Sequence, residues 1–151
     1  MDVPGQASGT SENLENLENF VTDRTPGPPH AHGGDESAAL AEFRQFRERM
    51  NTRILGENNL VINRFFNLDG RAYEGGALDV KTKELLGLVA SLVLRCDDCI
   101  TYHIVRCGEE GVTRDEVFET MSIGLIVGGS IVIPHLRRAV DRWDEVERMR
   151  G

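Results

Sequence analysis

Three side chains with reactive chemistry crowd into eight residues, Cys96-Asp97-Asp98-Cys99-Ile100-Thr101-Tyr102-His103. At ~100° per residue on an α-helix, Cys99 lies ~60° and His103 ~20° around the axis from Cys96. Two thiols and an imidazole would then share one face within two turns. Two kinds of chemistry suit that set. The first is thiol–disulfide chemistry assisted by a base. A Cys-x-x-Cys thiol near a helix N-terminus can have a depressed pKa, and its partner can resolve an oxidised or mixed-disulfide intermediate. The second is metal binding. A structural zinc site takes four ligands, commonly two Cys pairs or a Cys pair with a His pair. This chain has one such pair. Cys107 stands eleven residues beyond Cys96, ~16 Å along a continuous helix, too far to close a small cage. His135 or Glu84 are candidate fourth ligands, although no spacing demands either. The redox reading needs only what is present and is preferred. Ordinary buried cysteines are the bland alternative.

A carboxylate precedes the thiols. Leu78-Asp79-Val80-Lys81-Thr82-Lys83-Glu84-Leu85-Leu86 reads as the start of an apolar helix, and Glu84 sits twelve residues before Cys96. Glu84, eleven residues, Cys96-x-x-Cys99, three residues, His103: this segment resembles the alkyl hydroperoxidase D branch of the carboxymuconolactone decarboxylase family. The flanking Leu-Asp-x-Lys-Thr-Lys-Glu-Leu and the Gly-rich apolar stretch Ile123 to Ile133 fit as well. The resemblance covers about Leu78 to Val140 and, more loosely, the helices before it.

That resemblance implies roles. Cys99 would be the nucleophile that attacks a hydroperoxide or a disulfide, and Cys96 would resolve it to an intramolecular disulfide. Glu84 and His103 would form a proton relay with the thiols. A dithiol donor, lipoylated or thioredoxin-like, would return the electrons, with no bound organic cofactor and no metal. The assembly would be a homo-oligomer built of trimers. The chain departs from the best-studied members, which carry a His between the two cysteines. Asp97 and Asp98 stand there instead, and carboxylates beside thiols oppose thiolate formation, an effect a helix N-terminus offsets in part. Decarboxylase members of the wider family lack the redox pair. A lyase of that type is therefore a lesser alternative, as is a non-catalytic helical assembly or metal-binding module.

The bulk properties narrow the classes. A chain of 151 residues is most simply one domain. The net charge of −8 is concentrated at the start. Residues 1–37 hold seven acids and one base, net −6, and the rest hold 18 acids and 16 bases, net −2. With no basic stripe, nucleic-acid binding has no electrostatic support. The longest apolar run, Leu85 to Leu94, is too short to span a bilayer. The start of the chain has neither the basic nor the apolar region of a secretory signal. Three cysteines with one close pair fit a reducing cytoplasm.

Along the chain, residues 1–36 read as an acidic flexible tail. Within it, Leu14, Leu17, Phe20 and Val21 form a short apolar stripe, and residues 12–21 are a candidate docking helix for a protein partner. Pro26, Pro28 and Pro29 set it apart from the body. His30 and His32 read as linker. Residues 37–151 read as an all-α catalytic domain, a helical bundle of the alkyl hydroperoxidase D type with about six helices. Asp35 or Ser37 caps a helix from about Ala38 to Met50. A second runs from Asn51 to Leu68, with Asp69-Gly70 beginning a loop. Asp79 to Leu94 carries the carboxylate, and Cys96 to about Glu109 carries the thiols, ended by Gly108 or Gly111. Thr113-Arg114-Asp115-Glu116 is a capping box that opens a helix toward Val127. A last helix ends near Arg148. Gly128-Gly129 marks a break between helices, and Pro134 a first turn or kink. His135 reads as a surface or interface residue, with entry to the active pocket as the alternative. Trp143 reads as an interface or core anchor, and Cys107 as a small buried hydrophobe.

Overall fold

The computed structural model describes residues 36–151, so the proposed docking helix at 12–21, His30, His32 and Asp35 lie outside the described residues. Among these residues the chain forms six α-helices and one 3-10 turn, with no strand. The helices are α1 (Ala38–Leu55), α2 (Leu60–Tyr73), α3 (Val80–Leu94), α4 (Asp97–Glu109), α5 (Arg114–Gly128) and α6 (Ile133–Arg150), the 3-10 turn being Ser130–Val132. The all-α expectation holds. In the body α3 packs against both α4 and α5, and α4 also packs against α6.

Two boundaries differ from the sequence reading. The first helix does not stop at Met50 but continues to Leu55. The break comes where Asn58 adopts a left-handed conformation (φ 54°) and the Asn59 side chain accepts from the amides of Val61 and Ile62. Asn supplies both functions because its short amide tolerates positive φ and caps well. The second difference is that Asp69-Gly70 does not begin a loop. Both residues are helical, Gly70 is buried, and α2 runs on to Tyr73. The Lys83 ammonium donates to the carbonyls of Ala72 (2.8 Å) and Glu74 (2.6 Å), fastening the last turn of α2 to the start of α3.

The remaining ends follow local chemistry. Ser37 caps α1 through the Leu40 amide. Asp79 caps α3 by accepting from the Thr82 amide at 2.7 Å, and hydrogen bonds from the Thr82 side chain and then from its amide lower the Asp79 pKa. Thr113 and Glu116 form the reciprocal capping box of α5. Gly111 (φ 69°) follows α4, and Gly129 (φ 75°) separates α5 from the 3-10 turn, both in conformations that favour glycine. Pro134 sits in the first turn of α6, where its missing N–H costs nothing.

The core is formed by Leu88 and Leu92 of α3, Ile100 and Ile104 of α4, Met121 of α5 and Trp143 of α6, all buried. Trp143 and Cys107 are thus core residues. Small residues bring the helices together: a Cβ at Gly124 of α5 would press on Leu92 at 3.1–3.2 Å, so glycine there sets how closely α5 approaches α3. No helix among the described residues is long and apolar enough to cross a membrane.

Candidate active site

The site begins at the turn between α3 and α4. The Cys96 amide donates to the Ser91 carbonyl and the Arg95 amide to the Leu92 carbonyl, both at 3.1 Å. This is the Schellman pattern, with Arg95 in the left-handed position (φ 59°, ψ 38°). The next residue begins another helix. Cys96 is the N-cap of α4, and its sulfur accepts from the Cys99 amide at 3.3 Å. Cys96 is therefore held by the end of one helix and the start of the next. Its sulfur lies at a helix N-terminus, where partial positive charge favours a thiolate. In this structure Cys96 and Cys99 are joined as a disulfide. Cys96 is partly buried and Cys99 exposed.

One turn beyond Cys99, and on its side of α4, is His103. Its Nδ1 lies 2.8 Å from Oε2 of Glu84 on α3. Glu84 is fully buried and His103 is 7% exposed. A carboxylate can only accept, so Nδ1 carries the proton of this pair and Nε2 is left as the basic nitrogen. A buried carboxylate is costly unless it is compensated. Glu84 has a second partner in Arg106, whose Nε stands 3.5 Å from Oε1. Burial works against the Arg106 charge, but Glu109 and Glu84 outweigh it and raise the Arg106 pKa. Arg106 is itself held by Glu109 (2.6 Å) and Glu110 (2.9 Å).

The imidazole is walled on both sides. The Tyr73 ring, from the end of α2, stacks on it with centroids 5.4 Å apart. The Tyr73 hydroxyl is 3.5 Å from Nε2, at the long limit of a hydrogen bond. Tyr102 meets it edge-on at 5.2 Å, and the Arg47 guanidinium lies 4.1 Å over the Tyr102 ring. Space for the imidazole comes from Gly87, one turn beyond Glu84 on α3.

The four expected residues therefore fall into two joined pairs, the Cys96–Cys99 disulfide and the Glu84–His103 hydrogen bond, both anchored on α4. The two candidate fourth metal ligands are engaged elsewhere, Glu84 with His103 and Arg106, and His135 with Asp97 at 2.7 Å. Asp97 also binds Arg138 at 2.9 Å. His135 is thus an interface residue, and the interface it serves adjoins the disulfide. Sequence reasoning missed Tyr73, Arg106 and Gly87. Arg106 was within reach of it, since it stands three residues after His103 and so over the same face. Tyr73 arrives from another helix with no spacing to announce it.

The sequence model of the carboxymuconolactone decarboxylase family matches residues 60–142, more than half of the chain. The chain belongs to that family. Its matched region contains both residue pairs of the site. An uncharacterised protein of the Paracoccus denitrificans cox locus is 26% identical over 83 residues, which cover 55% of this chain and 75% of that one. Among solved structures of the family is TM1620 of Thermotoga maritima. It is 57% identical, with a TM-score of 0.70, over 72% of this chain and 95% of that chain. TM1620 has been suggested to take part in an antioxidative response. The apo form of lpg0406 from Legionella pneumophila, another family member, shares the fold at 23% identity and a TM-score of 0.51, over 91% of this chain and 99% of that one.

Proposed function

We propose that this member of the family is a thiol-dependent peroxidase or disulfide reductase of the alkyl hydroperoxidase D type, with an antioxidant role. The observation that supports it most is the buried Glu84–His103 hydrogen bond on the helix that begins with the Cys96–Cys99 disulfide. It combines a basic nitrogen, a group that orients it, and a cysteine pair joined as a disulfide. The antioxidative role suggested for TM1620 supports the same assignment.

In this reading His103 Nε2 takes the proton of the Cys99 thiol, and Glu84 steadies the imidazolium that forms. The Cys99 thiolate attacks a hydroperoxide oxygen. A sulfur–oxygen bond forms, the oxygen–oxygen bond breaks, and the alcohol leaves with the proton returned by His103. Cys96 then attacks the sulfur of the Cys99 sulfenic acid. The disulfide forms and water leaves. A lipoylated or thioredoxin-like dithiol supplies two electrons and two protons to restore both thiols and is itself oxidised to a disulfide. In the reductase mode the Cys99 thiolate attacks a substrate disulfide and releases one substrate thiol. Cys96 then attacks the Cys99 sulfur of the mixed disulfide, forming the Cys96–Cys99 disulfide and releasing the second thiol. The working unit is a trimer-based homo-oligomer, and residues 12–21 dock it to a protein partner.

The test is turnover of cumene hydroperoxide, and of a small-molecule disulfide, by the purified protein with dihydrolipoamide as reductant. Steady consumption of either that is lost in Cys99→Ser supports the reading. A wild-type rate no greater than that of Cys99→Ser with both substrates overturns it.

A further inference from the structure

The two acids between the cysteines are the feature least suited to a reactive dithiol, and the structure handles them unequally. Asp98 is exposed to solvent. Asp97, next to Cys96, is met by two groups from α6, a helix more than thirty residues further along. His135 Nδ1 lies 2.7 Å from Oδ1, and Arg138 Nη1 lies 2.9 Å from Oδ2. Each carboxylate oxygen has its own donor, and the two donors stand three residues apart on one face of α6.

We infer that Asp97, His135 and Arg138 form a charge clamp that sets the reduction potential of the Cys96–Cys99 couple. The inference rests on the thiol-redox reading above. When the couple is reduced, two thiols of a dithiol donor become its disulfide, and Cys96 and Cys99 gain two electrons and two protons, one of which a reactive thiol gives up to become a thiolate. The oxidised form carries no charge on sulfur. A charge beside Cys96 therefore acts on the reduced form alone, and stabilising that form makes the disulfide easier to reduce. An uncompensated Asp97 would destabilise a thiolate. Arg138 offsets the carboxylate charge, and His135 engages the other oxygen. The α4 N-terminus, which the Cys96 sulfur caps, is then free to act on the thiolate of the pair. The side chains of Asp97 and Arg138 are 44% and 60% exposed, so water screens the effect and keeps it modest.

The experiment equilibrates the full-length protein with glutathione redox buffers at about pH 8, where a reactive thiolate is populated. The Cys96–Cys99 disulfide fraction is read by alkylation and mass spectrometry. Arg138→Gln and His135→Ala are expected to favour the disulfide by about three- to tenfold in equilibrium constant. Asp97→Asn is expected to move it in the opposite direction. Arg137→Gln, which removes a neighbouring charge from the same helix, is expected to stay within about twofold of wild type. Opposite signs at Asp97 and Arg138 are what a charge effect produces and simple loosening of the α4–α6 contact does not. The clamp is overturned if Asp97→Asn and Arg138→Gln shift the constant in the same direction, or if neither differs from wild type. A wild-type protein with no reversible Cys96–Cys99 couple would overturn the thiol-redox reading and the clamp with it, a result distinct from a reversible couple that the variants leave unmoved.

Discussion

Gly87 of α3 faces the imidazole of His103 so closely that a Cβ there would stand 2.7 Å from both ring nitrogens. The missing side chain is what lets Glu84 and His103 meet within a close-packed interior. Gly87→Ala should lower stability by about 1–3 kcal/mol, the usual cost of overpacking. It should lower turnover further than stability explains, because the ring must leave the position in which Glu84 holds it. Thermal melts with peroxidase assays at a temperature where the variant is fully folded check this. An alanine variant with wild-type melting and turnover would remove the steric argument.

Glu84→Gln keeps the shape of the buried partner and removes its charge. The fold should survive, since the amide oxygen can still accept from Nδ1. Turnover should fall by roughly 10²–10⁴-fold, the range for positioned acid–base groups. Circular dichroism and steady-state kinetics across pH make the comparison. Unchanged turnover at every pH would take Glu84 out of the mechanism.

The Glu116 carboxylate accepts from the Thr113 amide at 2.8 Å and pairs with Lys81 of α3 at 2.7 Å. The hydrogen bond to Lys81, then those to Thr113, pull its pKa from 4.5 down to about 2. A depressed native pKa adds stability above the unfolded value that is lost as pH falls toward the native one. Glu116→Gln should therefore melt below wild type near neutral pH. The gap should narrow as pH drops from about 4.5 toward 2. Melting curves over that range test it, and a gap that stayed constant with pH would contradict the assignment.

How much of this was legible beforehand depends on how local each signal is. The Cys96, Cys99 and His103 spacing is a property of one helix, and Thr113 with Glu116 is a property of one turn, so both could be read directly. Glu84 was legible because the resemblance fixes its distance in sequence. The contacts of Tyr73 with His103 and of Asp97 with His135 join helices separated by 30 and 38 residues, and no periodicity encodes them. The end of α2 was misread because Asp69-Gly70 has the composition of a turn. Burial of Gly70 and the Lys83 hydrogen bonds to the Ala72 and Glu74 carbonyls override that preference.

The body leaves large apolar side chains facing out. Val61, Phe65 and Leu68 on α2, and Leu94 and Ile126 on α3 and α5, are each between 67% and 83% exposed. Faces of this kind usually mark interaction surfaces. Full burial of such a side chain is worth roughly 1.5–3 kcal/mol. A second copy of the chain is the expected cover. Light scattering at micromolar concentration should return a trimer or a multiple of it, and Phe65→Asp should shift the protein toward monomer. A wild-type monomer mass would contradict the expectation.

The central claim is that Cys96 and Cys99 exchange electrons with a peroxide or a substrate disulfide while Cys107 stands aside. Cys107 is buried, and that burial pushes its pKa up to about 12, so it should stay a thiol throughout. The decisive measurement is a single turnover. Fully reduced protein receives one equivalent of hydroperoxide, and the cysteines are then alkylated and mapped by mass spectrometry. The account predicts one Cys96–Cys99 disulfide per peroxide consumed, with Cys107 unoxidised. It also predicts that Cys96→Ser stops at a trapped Cys99 sulfenate and that Cys99→Ser does not react. A wild type that leaves both the peroxide and, in a parallel run, a small-molecule disulfide unconsumed, or a sulfenate on Cys96 rather than Cys99, would contradict it.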